Sequence, residues 1–217
     1  MKRGFAVAGA VVALAIPGVS VAQAGGEHSP GSASGVGTAK AVAFHDDMRK
    51  LWEDHIIWTR LAIVSFAGGL PDFDKNAARL LRNQEHIGNA IKPYYGRRAG
   101  NSLTTLLKEH IGGAVDLLTA AKAGDDAGLA SAKRAWYANG REIARFLNRA
   151  SPRFLPLAST RRLMRGHLDQ TLVEATHLLS GDYGAGIRDF DLIHRHILAM
   201  ADAISGAIIK QFPGRFR

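Results

Sequence analysis

Cysteine is absent from the sequence. That excludes disulfides, thiolate metal sites, thioether-linked haem, thiol catalysis and a lipid-modified cysteine. Aromatic residues are sparse, at 7%, and no stretch alternates apolar and polar residues with the period of two that a half-buried strand requires. The catalytic signatures are missing as well. There is no glycine-rich phosphate loop, no serine-nucleophile motif and no His-Glu-x-x-His zinc motif. No reaction class is supported, so the sequence leans away from an enzyme.

What is present begins with an export signal. The opening "MKRGFAVAGAVVALAIPGVSVAQA" has a short basic start, an apolar run and small residues at Ala22 and Ala24. This pattern predicts a signal peptide over residues 1–24, cleaved after about Ala24, and a periplasmic or extracellular protein. Residues 25–38 are rich in Gly and Ser and read as a flexible linker. His28 lies within it and has no expected role. A helical domain is expected over 39–217.

The mature chain of 193 residues (217 − 24) suits one domain. Without Lys2 and Arg3 its formal charge is +7, from 26 basic and 19 acidic residues. The charges look scattered along the sequence, apart from the tail "KQFPGRFR". A basic exported protein meets anionic envelope surfaces, so weak contact of that kind is expected. Nucleic acid is not expected, because no aromatic-basic motif is present.

From residue 39 onward, apolar residues recur at helical spacing. Met48, Leu51, His55, Thr59, Ala62 and Phe66 mark a first helix. Leu80, Asn83 or Gln84, Ile87 and Ile91 mark a second, which Pro93 should end. Leu103, Leu107, His110, Ala114 and Leu117 mark a third, and Leu129, Ala132, Trp136, Asn139, Ile143 and Phe146 a fourth. Leu163, His167, Thr171, Glu174 and Leu178 mark a fifth. A sixth runs through Ile187, Asp191, His194, Leu198, Ala201 and Ile208. The expected class is all-α, with about six helices in an up-down bundle.

The pattern repeats. His55, His110 and His167 lie 55 and 57 residues apart, each on its helix's apolar stripe. Each helix ends in a glycine-containing turn closed by Asp72, Asp125 or Asp182, and each of these reads as the N-cap of the following helix. The following helices carry polar pairs three apart: Asn83–His86, Asn139–Glu142 and Asp191–His194. This reads as three consecutive helical hairpins, each with one histidine on its first helix.

Stacked hairpins could bring the three imidazoles to one layer. His55, His110, His167 and His194, with Asp191 and Glu174 as carboxylates, form a candidate ligand set for zinc, iron or copper. Helical bundles build metal sites from inward side chains of this kind. A small ligand is the other candidate occupant. The competing reading is metal-free, with the same histidines bonded to neighbouring Asn, Asp or Thr in the core of an envelope structural or interaction protein.

"LWEDHIIWTRLAIVSF", "RNQEHIGNAIKPYYG", "LLKEHI", "WYANGREIARFL", "HLDQT" and "HRHILAMADAISGAIIKQFP" resemble a family of exported bacterial all-helical proteins, over about residues 45–213. Its members sometimes carry the names glycosyltransferase or acetylglutamate kinase. Neither activity has support in this chain, which shows no α/β alternation and no phosphate loop. The resemblance implies the all-helical fold and the exported address. It implies no site residues, and "NQEHIG" departs from the family's usual pattern at His86.

Overall fold

A computed structural model describes residues 37–217, and the expected signal peptide, residues 25–36 of the linker and His28 lie outside them. The described chain is all-helical: α1 (Ala39–Gly68), α2 (Phe73–Ala123), α3 (Asp126–Ala150), α4 (Leu157–Leu179) and α5 (Tyr183–Gln211), followed by a short 3₁₀ turn, Pro213–Arg215. Each helix packs on the next, and α5 returns to α1, which closes the bundle. Thr38 caps α1, accepting from the Ala41 amide, and its hydroxyl bonds the Phe216 carbonyl, tying the two ends of the domain together.

The expected N-caps hold at two of three positions. Asp125 accepts from the Gly128 amide and Asp182 from the Ala185 amide, each at 2.9 Å. These bonds satisfy amides that the first helical turn leaves open. Asp72 makes no such bond, because its carboxylate accepts from the Asn76 side chain instead.

The second difference lies in α2. Helical hydrogen bonding continues through Pro93, and the break falls three residues later at Gly96, with φ 83° and ψ 167°. This conformation is open to glycine and strained for other residues. The chain turns back there. A Cβ built on Gly88 would lie 2.6 Å from the Gly100 carbonyl oxygen and 1.9 Å from Thr104 Oγ1. The arms 73–95 and 97–123 therefore touch backbone to backbone, which only glycine at 88 and 100 permits. Lys108 and Glu85 pair across them at 2.5 Å. Tyr94 and Tyr95, just before the turn, pack on Phe44, Phe212 and Phe216 with ring centroids 5.0–5.7 Å apart.

One large core fills the bundle, centred on fully buried Ile56, Ile87, Ile143, Ile193 and Ile197. Burying each such side chain contributes about 1.5–3 kcal/mol. A smaller cluster of Ile63, Leu118, Ala175 and Leu178 fills the other end. The α5 stripe is rotated from its expected position. Ile193, Ile197, Met200, Ala201, Ile204 and Ile208 face inward, whereas Ile187 and Asp191 are exposed.

Candidate functional site

His55 on α1, His110 on the second arm of α2 and His167 on α4 meet between the two apolar clusters. The His167 ring lies 5.7 Å from that of His55 and 5.9 Å from that of His110, centroid to centroid. All three are buried. Trp136 stacks on His110 at 5.1 Å with 14° between planes, and Trp52 meets His55 edge-on at 5.8 Å. The third tryptophan, Trp58, lies outside this layer under the Arg79 guanidinium.

Burial among apolar rings disfavours the imidazolium, and each histidine also disfavours charge on its neighbours. Burial, then nearby His110, pushes His55 down to about 3. Burial pushes His110 down to about 4. Burial, then His55, His110 and His196, holds His167 well below the usual histidine range. The layer is neutral at pH 7.

Its hydrogen bonds set the protonation of two rings. Gln84 Nε2–H donates to His55 Nδ1 at 3.2 Å, so His55 carries its proton on Nε2. Asn139 donates to the Leu106 carbonyl at 3.0 Å, which turns its own oxygen toward His110. His110 Nδ1–H then donates to Asn139 Oδ1 at 3.2 Å. His167 Nδ1 is buried without a partner.

A second set of bonds recurs in register. The carbonyl four residues before each histidine accepts a side-chain bond from the helix that follows: Leu51 from Asn83 at 2.9 Å, Leu106 from Asn139 at 3.0 Å, and Leu163 from His196 at 2.9 Å. These pairs are 32, 33 and 33 residues apart. Each histidine's own carbonyl accepts another, from Thr59 at 2.7 Å, Trp136 at 3.0 Å and Thr171 at 2.8 Å. Such bonds fix the ring layer by clamping the backbone beneath it.

The other expected site residues go elsewhere. His194 donates to Glu53 at 2.8 Å and stacks on Phe190, away from the layer. Asp191, His86 and Glu142 are exposed. Glu174 is fully buried, but its partner is Arg60, whose guanidinium bonds Glu174 Oε1 at 2.5 Å and the Gly186 carbonyl at 2.9 Å. Burial raises the Glu174 carboxyl and Arg60 opposes that shift. Its second oxygen has no partner. Nearby, His177 Nδ1–H donates to Asp189 at 2.5 Å.

Sequence reasoning gave Gln84 only as an alternative stripe position and left His196 without a role. The 29-residue spacing that His55–Gln84 shares with His110–Asn139 points to the first, and the 33-residue spacing that Leu163–His196 shares with Leu106–Asn139 to the second. It also passed over His177, although Glu174-Ala-Thr-His177 is a Glu-x-x-His spacing. Among the described residues, no three histidine or carboxylate side chains are placed to hold one metal ion. Beside the layer lies an apolar cavity of about 40 Å³, lined by Thr59, Ile63, Ile111, Trp136, Thr171 and Ala175. The threonine and tryptophan donors on its wall already bond the histidine carbonyls, so these side chains have no free donor for a polar ligand.

Comparison of the chain with protein-family models, with curated proteins and with solved structures finds no match.

Proposed function

We propose that this is an exported envelope structural or interaction protein, built of three helical hairpins, in which the three-histidine layer is a metal-free hydrogen-bonded core. The observation that carries the reading is the repeated bonding to the carbonyls of Leu51, Leu106 and Leu163 and of the three histidines themselves. The turn at Gly96 divides α2 into two arms, which gives six helical segments and three antiparallel pairs. The His55 tautomer also supports the reading. A ring that accepts from Gln84 at Nδ1 has its proton on Nε2, where a metal would bind.

A second reading, a divalent transition metal on the three rings, draws on their spacing. Three imidazoles on one zinc, with bonds of about 2.0–2.1 Å and tetrahedral angles, hold their centroids about 5.2 Å apart. Two of the three separations, 5.7 and 5.9 Å, lie somewhat above that value, and His167 Nδ1 is uncommitted. Elemental analysis of protein purified from its native compartment separates the two, with His110→Ala as the comparison. The metal-free reading expects no stoichiometric metal and a loss of stability in the variant. One metal per chain, lost in His110→Ala, would overturn it.

A further inference from the structure

The basic residues that look scattered in the sequence converge at one seam of the fold. Lys133, Arg134 and Arg141 on α3 face Arg161 and Arg165 on α4 across two adjoining hollows of about 210 and 590 Å³. Tyr137, Arg141 and Arg165 line both hollows, so they form one groove. Five cations against the single carboxylate of Asp169 give the groove a formal charge of +4 (5 − 1), in a chain whose total is +9.

Asp169 is already engaged, accepting from the Tyr137 hydroxyl and pairing with Arg165 at 3.3 Å. Among the described residues, Lys133, Arg134, Arg141 and Arg161 take part in no ion pair. The floor is different in kind. Gly140, Met164 and Leu168 are buried there, and Gly140 brings the α3 backbone down onto the Leu168 side chain.

We propose that this groove binds a small soluble phosphate ester with an apolar portion. The unpaired guanidinium groups offer forked donors that match phosphate oxygens. The charge raises the local concentration of anions. The apolar floor takes the ester's carbon skeleton. The smaller hollow, the more enclosed of the two and the one with the apolar floor, favours a discrete ligand over a flat bilayer, which would touch only the cationic rim. The inference rests on the interaction reading above for its premise of a partner. The histidine layer takes no part in it, so metal analysis and ligand titration fail independently.

The test uses 4-nitrophenyl phosphate as the probe, with inorganic phosphate beside it, followed by titration calorimetry. The parent protein should bind the nitrophenyl ester saturably at one site, at least threefold more tightly than inorganic phosphate. Arg141→Glu with Arg161→Glu takes the groove from +4 to 0 and should weaken binding at least tenfold. Both side chains are exposed, so the fold should persist, with circular dichroism as the check. Arg98→Glu, an exposed charge reversal on α2, should leave binding unchanged. Three results would each overturn the proposal: no saturable binding by the parent, equal weakening in the Arg98 variant, or binding only to phosphatidylglycerol vesicles.

Discussion

Acidification should unfold this protein through its histidine layer, and the magnitude follows from the shifts. An unfolded histidine titrates near 6.5. In the folded chain His55 stands at about 3 and His110 at about 4. The folded pKa values are depressed, so below 6.5 the unfolded state takes up protons that the folded state refuses. Stability is full above 6.5 and falls as pH drops toward the folded values. Between pH 7 and 5, each of these two rings costs about 2 kcal/mol. His167 acts in the same direction, since it too is held well below the usual range. Glu174 acts oppositely, because its raised carboxyl favours the folded state on acidification. It is one group against three.

A loss of about 4 kcal/mol from two rings is a large part of the 5–15 kcal/mol that holds a typical domain together. Urea unfolding followed by circular dichroism at pH 7, 6, 5.5 and 5 measures it. The slope near pH 5 should report between about two and three protons taken up on unfolding, Glu174 offsetting part of the histidine uptake, and about one fewer in a His110→Asn variant. A slope near zero in the parent between pH 6 and 5 would refute the neutral, buried layer.

Four more substitutions probe the scaffold by thermal or urea unfolding. Asn139→Ala removes the bond to Leu106 and leaves His110 Nδ1–H buried without an acceptor, at a cost of about 2–3 kcal/mol. A loss under 0.5 kcal/mol would show that water replaces it. Gly88→Ala drives a methyl into Thr104 and the Gly100 carbonyl and should cost at least about 2 kcal/mol. Gly112→Ala, where nothing lies within 4 Å of the added carbon, should be neutral or stabilising. Arg60→Met strands the buried Glu174 carboxylate and should cost about 3 kcal/mol at pH 7. That cost should shrink at pH 4 as the carboxyl protonates.

The all-helical class was legible because helices bury a stripe, and the spacing of His55, His110 and His167 marked equivalent positions on three stripes. Their convergence followed from that equivalence. The break in α2 was misplaced because Pro93 is the stronger sequence punctuation. A proline within a helix removes one amide, whereas Gly96 reverses the chain through backbone freedom that leaves no mark beyond its identity. The α5 register failed for another reason. Ile187, Asp191, His194 and Leu198 satisfy helical spacing as well as the true stripe does, and α5 contacts both α4 and α1. An apolar face wide enough for two neighbours fits more than one phase. Five cations spread over α3 and α4 could not be read as one groove before the two helices were paired.

The partner of Leu163 differs from those of Leu51 and Leu106, and makes the proposed three-unit scheme testable. Asn83 and Asn139 do for α1 and α2 what the larger His196 does for α4. The extra ring volume needs room, and Gly166 supplies it. A Cβ there would lie 3.0 Å from His196 Cε1. The corresponding residues before the other histidines are Asp54, which pairs with Arg79, and Glu109. If bonding to the carbonyl is what matters, His196→Asn should keep it, losing only packing against Gly166. Gly166→Ala alone should be destabilising through the clash, despite the better helix propensity of alanine. Combined, the two substitutions remove the clash and fill the gap, so the double variant should be more stable than the sum of the single effects by about 1 kcal/mol. Strict additivity in that cycle would mean that the His196 ring is held by something other than Gly166 and the Leu163 carbonyl, and the equivalence of the three units would fail at its third member.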